Sequence, residues 1–234
     1  MTASVLERLV RAHGPEGVLA HLSLAERERL PWLWRGGWAR PEQVAPPSDW
    51  RTWLLLAGRG FGKTRALAEW VREEVEAGRR QRLALVSPTA ADARDVLVEG
   101  ESGILAICPP AMRPIYEPSR RRLTWPNGAI ATLYTADEPD RLRGPQHDGA
   151  ACDELRSWRY PEAWDNLQLG LRLGLDPRQV VTTTPRPIKL VRDVAKASTT
   201  IVTRGNTFEN RANLASAFLD QIVSRYEGTR LGRQ

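Results

Sequence analysis

Apolar residues change period several times along this chain, and each change marks an element. Val5, Leu6, Leu9 and Val10 recur at helical spacing, and Ser23 followed by Glu26 forms a capping-box pattern that opens a short helix over residues 23–30. Residues 31–50 then carry tryptophan at 32, 34, 38 and 50 and proline at 31, 41, 46 and 47. That composition predicts an irregular, aromatic-anchored segment. The apolar run 53–56 suits a buried strand, and residues 64–77 place Leu67, Trp70, Val71 and Val75 on one helical face, closed by Gly78. A second strand follows at 83–86, and Pro88 with Thr89 turns the chain towards a helix over 90–98. Strand, helix, strand in this order predicts an α/β fold with a mostly parallel central sheet flanked by helices.

Residues 121–134 alternate about Asn127-Gly128, the favoured dipeptide of a two-residue type I′ turn, so an inserted β-hairpin is predicted there. Further strands are expected at 180–183 and 201–204, and a last helix at 214–226. There is no internal repeat and no low-complexity linker.

Between the first strand and the helix that follows it lies AGRGFGKT, residues 57–64. A glycine-rich turn in that setting lets backbone N–H groups converge on phosphates, while a lysine reaches the terminal oxygens and a hydroxyl holds a magnesium ion. Those tasks fall to Gly58, Gly60, Gly62, Lys63 and Thr64. The usual pattern has glycine five residues before the Gly-Lys pair, and this chain has Ala57.

Hydrolysis requires a second, acidic site: one carboxylate for the metal and one to polarise water. Asp153 and Glu154 follow GAAC, a small-residue stretch that suits a buried strand. Asp153 is assigned to Mg²⁺ and Glu154 to the water. Charge developing on the transferred phosphoryl group calls for a cation, and Arg143 in DRLRG, Arg141 and Arg59 are three candidates that spacing alone does not separate. Thr182, Thr183 and Thr184 end another strand, where hydroxyls could sense the terminal phosphate.

Composition adds limits. At 234 residues and 41% hydrophobic content the chain can bury a full core, and no apolar run reaches the roughly 20 residues of a membrane span. Glu7 and Arg8 interrupt the first apolar segment, against a secretory signal, so the chain reads as intracellular. Cys108 and Cys152 are read as small buried hydrophobes, and His13, His21 and His147 have no metal-site spacing. Net charge is +6, and residues 178–234 hold 10 basic and 4 acidic side chains, which accounts for the whole surplus. A localised basic surplus suits phosphate backbones or an acidic neighbour.

The stretches WRTWLLLAGRGFGKTRALAEWV, VSPTAADARDVLVEGESGIL, DRLRGPQHDGAACDELRSW, VVTTTPRP, GNTFENRANL and YEGTRLGRQ together resemble the ATPase domain of the large terminase subunit, the DNA-packaging motor of tailed bacteriophages and prophage-like particles. The resemblance covers most of residues 40–234. It implies a P-loop NTPase of the additional-strand catalytic-glutamate type, with ATP and Mg²⁺ as cofactors. By the same resemblance Gln43 contacts adenine, Arg59 senses phosphate within a loop that also includes Phe61 and Arg65, and Arg143 is an arginine finger lent to a neighbouring subunit. Lys63 and Glu154 join Arg143 as catalytic residues, and Thr182–Thr184 form the coupling motif. The implied organisation is a helical appendage over 1–40, a core over 41–185 and a lid subdomain over 186–234. The RNase H-like nuclease of the family is expected to be absent.

The resemblance also implies double-stranded DNA, a portal protein and a small terminase subunit as partners. It implies a homo-oligomeric ring when assembled, a monomer in isolation, no membrane association, and action in the host cytoplasm during virion assembly. Two competing classes are a helicase-like remodelling ATPase, which usually carries a second motor domain, and a nucleotide-dependent switch. The guanine-reading Asn-Lys-x-Asp pattern of GTPase switches is missing from the sequence.

Overall fold

The structure, a computed structural model, describes residues 3–219. Its N-terminal part holds α1 (Val5–Ala20) and α2 (Leu24–Arg29). Both begin with reciprocal capping boxes, Ser23 with Glu26 as expected and Ser4 with Glu7 in addition. Residues 30–43 form short 3₁₀ and π-type turns, as the prolines and glycines there require. Trp34 and Trp50 anchor this segment in the main core.

The strands and remaining helices follow in chain order: β1 (Thr52–Ala57), α3 (Lys63–Glu76), β2 (Arg82–Ser87), α4 (Ala90–Asp92) continuing into a π-type turn to Val98, α5 (Ile104–Ile107), β3 (Ile115–Glu117), β4 (Arg122–Thr124), β5 (Ile130–Thr135), β6 (Gly149–Cys152), α6 (Glu162–Gly170), β7 (Arg178–Thr183), α7 (Lys189–Lys196) and β8 (Thr200–Gly205). All eight strands form one sheet in the order β3-β4-β5-β2-β6-β7-β1-β8, parallel from β5 to β8, with β3 and β4 antiparallel at one edge. The strand that leads into the phosphate loop, β1, is separated from β6, which leads into Asp153, by β7. That inserted strand is the mark of the additional-strand P-loop NTPase fold.

Both faces of the sheet are covered. Trp53 and Leu55 of β1 enter the core beneath α3, while Leu54 and Leu56 enter the opposite core with Leu167 of α6 and Val191 of α7. Period-two alternation with both faces dry explains why β1 reads as an unbroken apolar run. The α3 face is the expected one: Leu67, Trp70, Val71 and Val75 are buried, and the Gly78 N–H closes the helix on the Val75 carbonyl. Cys108 and Cys152 are buried free thiols, and burial pushes Cys108 up to about 12. Among the described residues no helix is long and apolar enough to cross a membrane.

Two expectations need correction. The β4–β5 turn is not type I′, because of its residues only Gly128 has positive φ, at 86°. The Gly128 N–H bonds to the Trp125 carbonyl at 2.9 Å, which places Pro126 and Asn127 at the centre of a turn with negative φ at both positions. Pro126 fixes its φ near −65° and excludes the primed geometry at that position. The Asn127 side chain instead bonds the Val75 carbonyl and pins the turn to α3.

The boundary expected after Pro185 also does not fall at a break in the sheet. β8 pairs with β1 from Thr52↔Thr200 to Ala57↔Gly205, and α7 packs its valines into the second core. Without β8, β1 would be an apolar edge with open backbone groups. The helix expected over 214–226 and the stretch YEGTRLGRQ lie largely or wholly outside the described residues.

Candidate active site

The parallel strands β1, β6 and β7 end at one edge of the sheet, where crevices of open α/β folds bind ligands. A cleft of about 760 Å³ opens there, lined by Gly60, Lys63, Thr64, Asp153, Glu154 and Thr184 among others.

The loop after β1 is built from short-range chemistry. Gly60 and Gly62 have φ of 73° and 90°, a region that side chains with a Cβ rarely adopt. Gly62 supplies no side-chain cap to α3, so the first-turn amides of that helix are left for an anion. Ala57 tolerates its substitution because it is the last residue of β1, paired with Gly205 and fully buried. Gly58, expected in the cradle, is drawn into the sheet as well: its N–H donates to the Gly205 carbonyl at 3.1 Å.

Side chains from two remote segments hold the outer carbonyls of this loop. Thr207 donates to the Arg59 carbonyl at 2.7 Å, Asn210 to the Gly60 carbonyl at 2.6 Å, and Arg40 to the Phe61 carbonyl. Gln43 donates from its amide to the Phe61 and Gly62 carbonyls, each at 3.3 Å. Gln43, expected at adenine, is thus buried behind the loop and does not line the cleft. Phe61 is also buried, with the Arg40 guanidinium 4.8 Å from its ring centroid. Arg65 borders the cleft, pairs with the fully buried Glu69 at 2.7 Å and sits over the Trp34 ring.

Lys63 is held by oxygen acceptors at the end of β1. Its ammonium donates to the Ala57 and Gly58 carbonyls at 3.0 Å and to the Thr184 hydroxyl at 3.3 Å. Burial lowers its pKa, opposed by Glu154 and Asp153. Asp153 is buried as well, which raises its pKa, against a hydrogen bond from the Thr182 hydroxyl that lowers it. Trp158 donates to the Asp153 carbonyl at 3.0 Å, and the Asp153 N–H continues the ladder onto Val86.

Glu154 has φ 45° and ψ 53°, left-handed for a non-glycine residue. Such a backbone costs on the order of 1 kcal/mol and persists where its surroundings over-determine it. Here the Glu154 N–H reaches the Thr182 hydroxyl at 3.4 Å and the Arg156 N–H the Thr183 hydroxyl at 3.1 Å. The turn aims the carboxylate at Thr184, whose N–H donates to Oε1 at 3.0 Å. All three threonines therefore touch the acidic pair or its turn, and Thr184 links it to Lys63.

The donor set fits a magnesium-bound polyphosphate. Among the described residues no group of three His, Cys, Asp or Glu could hold a metal alone. Thr64 and Asp153, which both line the cleft, are the residues that would hold the magnesium, an ion that takes oxygen ligands.

Arg59 is exposed on the cleft rim, and Arg143 lies elsewhere. It is exposed in a separate recess of about 490 Å³ with Asp137, Asp140, Tyr160, Glu162 and Asp165. Arg141 pairs with Glu138 at 3.2 Å. Thr207 and Asn210 were not singled out from the sequence, because their contacts to the loop span more than 140 positions, and Arg40 reaches the Phe61 carbonyl across 21. Arg156, which touches Glu154, was missed as well. For Arg156 a signal existed, since it lies two residues after the acidic pair.

No curated protein matches the sequence. Solved structures do match in fold. The Thermus phage P74-26 large terminase ATPase domain aligns with a TM-score of 0.56 at 15% identity, over 78% of this chain and 86% of that one. The large terminase from a thermophilic bacteriophage aligns with a TM-score of 0.62 at 15% identity, over 87% of this chain and 50% of that one. The complex of that terminase with ATP-gamma-S gives a TM-score of 0.58 at 15% identity, over 86% and 48%. The chain thus spans about half the length of that thermophilic phage terminase. The family model described as terminase large subunit, T4likevirus-type, N-terminal, matches residues 54–234, and the chain belongs to that family.

Proposed function

We propose that this chain is the ATP-hydrolysing motor domain of a DNA-packaging terminase, coupling Mg-ATP hydrolysis to translocation of double-stranded DNA into a capsid. The observation that carries the reading is the chain of contacts from Lys63 through Thr184 to Glu154, with Asp153 beside it, at the carboxyl ends of β1, β6 and β7.

Lys63 and the first-turn amides of α3 bind the β and γ phosphates. Thr64 and Asp153 would hold magnesium, which would supply charge neutralisation at the phosphates. Glu154 orients a water and takes its proton as the water oxygen bonds to the γ-phosphorus. The bond to the bridging oxygen breaks, its electron pair leaves with ADP, and the proton passes to solvent or to the released phosphate. Thr182–Thr184 contact both Asp153 and Glu154, so occupancy of the cleft reaches β7 directly, which suits a coupling role.

Arg143 acts in the cleft of a neighbouring subunit, a reading supported by its exposure in a recess apart from its own cleft. The assembled unit is then a ring that works with a portal protein and a small terminase subunit in the host cytoplasm, monomeric until assembled. The basic set Arg178, Arg186, Lys189, Arg192 and Lys196 is assigned to DNA or to subunit contact, and charge reversal there should weaken a salt-dependent association.

Turnover of Mg-ATP and Mg-GTP by the wild-type chain and by Glu154→Gln, free and assembled on portal, tests the reading. ATP preference and a loss of at least about 100-fold in kcat with nucleotide binding retained are expected. Unchanged turnover in Glu154→Gln would overturn the assignment. Mixing Arg143→Ala with Lys63→Ala subunits should restore part of the assembled activity if the arginine acts across the interface.

A further inference from the structure

The carboxylate assigned to water is already engaged. Glu154 Oε1 accepts from Arg156 Nε at 2.6 Å and from the Thr184 N–H at 3.0 Å, while Oε2 faces the Thr184 hydroxyl at 3.5 Å. With both acceptor sites of Oε1 taken, that oxygen has none left for the hydrogen of a water. The pair is screened from bulk solvent, with side-chain exposures of 15% for Arg156 and 25% for Glu154.

Arg156 spends one of its five N–H donors on protein. Its Nε is spent on Glu154, but its two terminal nitrogens have no protein partner among the described residues, and the side chain lines the same cleft as Lys63 and Thr64. A guanidinium presents its donors in a rigid fork that matches phosphate oxygens. Its backbone is fixed by the Thr183 hydroxyl at 3.1 Å, so the side chain can exchange partners while the turn stays in place. Among the described residues no other arginine of the cleft has these properties together: Arg65 is committed to Glu69, and Arg59 is exposed on the rim.

We propose that Arg156 is a phosphate-reading cation within its own chain, which exchanges Glu154 for the terminal phosphate of the bound nucleoside triphosphate and thereby releases Glu154 to act on water. The exchange rests on the ATPase reading above and adds a gate to it. With the cleft empty or holding a diphosphate, Arg156 keeps Glu154 occupied; a triphosphate draws the fork away and frees Oε1. Arg156 is thus a contact to the terminal phosphate as well as a positioning residue for Glu154.

The test is equilibrium binding of Mg-ATP-gamma-S and Mg-ADP to the full chain by titration calorimetry. In Arg156→Gln, ATP-gamma-S affinity should fall about 10-fold to 100-fold, the loss of one or two charge-assisted bonds, while ADP affinity stays within about two-fold. Arg156→Lys, which keeps the charge and loses the fork, should fall between. Glu154→Gln removes the competing anion, so ATP-gamma-S affinity should rise in that variant and the rise should vanish in the double variant with Arg156→Gln. Equal losses for both nucleotides, no loss for either, or a rise that survives in the double variant would overturn the exchange. If the wild-type chain binds neither nucleotide, the ATPase reading falls and the exchange with it; if wild-type binding is normal and Arg156→Gln is silent, only the exchange falls. Circular dichroism melts establish that each variant is folded, and the lysine variant decides the matter should the glutamine variant not be.

Discussion

The Thr182 hydroxyl donates a 2.5 Å hydrogen bond to Asp153 Oδ1 across the β6–β7 pair. Asp153 is 7% exposed and Thr182 is fully buried, so the bond offsets part of the cost of taking a carboxylate out of water. Thr182→Val keeps the shape and removes the donor. It is expected to cost about 1–3 kcal/mol of stability and to raise the magnesium concentration needed for half-maximal nucleotide binding, whereas Thr182→Ser should restore both. Denaturant melts and magnesium titrations read the two effects.

Lys63 carries a second prediction, because its cation is buried on backbone carbonyls. Lys63→Met removes an ion whose pKa burial already lowers, so the unliganded melting temperature should hold or rise. The wild-type chain should gain about 2.7 kcal/mol at 100 times the nucleotide Kd, and Lys63→Met should gain none. Thermal melts with and without Mg-ADP check this, and a full nucleotide shift in the variant would contradict the site.

His147 sets a pH dependence. It is 4% exposed, its Nε2 has no partner, and burial lowers its pKa from 6.5 to about 4. The unfolded chain therefore binds a proton that the folded chain refuses between those values, and stability rises with pH across that window. The contribution is present above about pH 6.5 and is lost as pH falls towards 4, by an amount on the order of 3 kcal/mol. His147→Phe, against Tyr134 in the same pocket, should flatten the slope of unfolding free energy between pH 4 and 6.5.

Glu69 is fully buried between Arg72 at 2.7 Å and Arg65 at 2.7 Å. Desolvation raises its pKa, opposed by Arg72 and Arg65. Glu69→Ala leaves the buried Arg72 only its pair with Glu76 at 3.2 Å and should destabilise the fold by about 3 kcal/mol. Because Arg65 also stacks on Trp34, the aromatic segment should loosen with it, and Trp fluorescence during denaturation would report that.

Much of the site was legible because its chemistry is local. Gly60, Gly62, Lys63 and Thr64 occupy consecutive turns whose backbone geometry their own side chains dictate, and Asp153-Glu154 sits at the end of a strand whose small residues permit close parallel packing. The capping box at Ser23 and the buried face of α3 were legible for the same reason. The type I′ turn was misread because Asn127-Gly128 was weighed without Pro126, which restricts its own φ. Gln43 was assigned to adenine by resemblance, while the structure places its amide on the loop carbonyls.

The sequence by itself determined most of the elements and which candidate groups end them, since strand periodicity, helix caps and glycine-rich turns are set by interactions within a few residues. Only the tertiary structure decided which groups meet. It inserted β7 between β1 and β6, brought Thr182 onto Asp153, made β8 a partner of β1, set Thr207 and Asn210 on the carbonyls of the phosphate loop, and left Arg156 bound to Glu154 through Nε alone. Strand order and long-range side-chain contacts are fixed by burying both faces of one sheet at once, and no local pattern encodes which distant segment satisfies a given carbonyl.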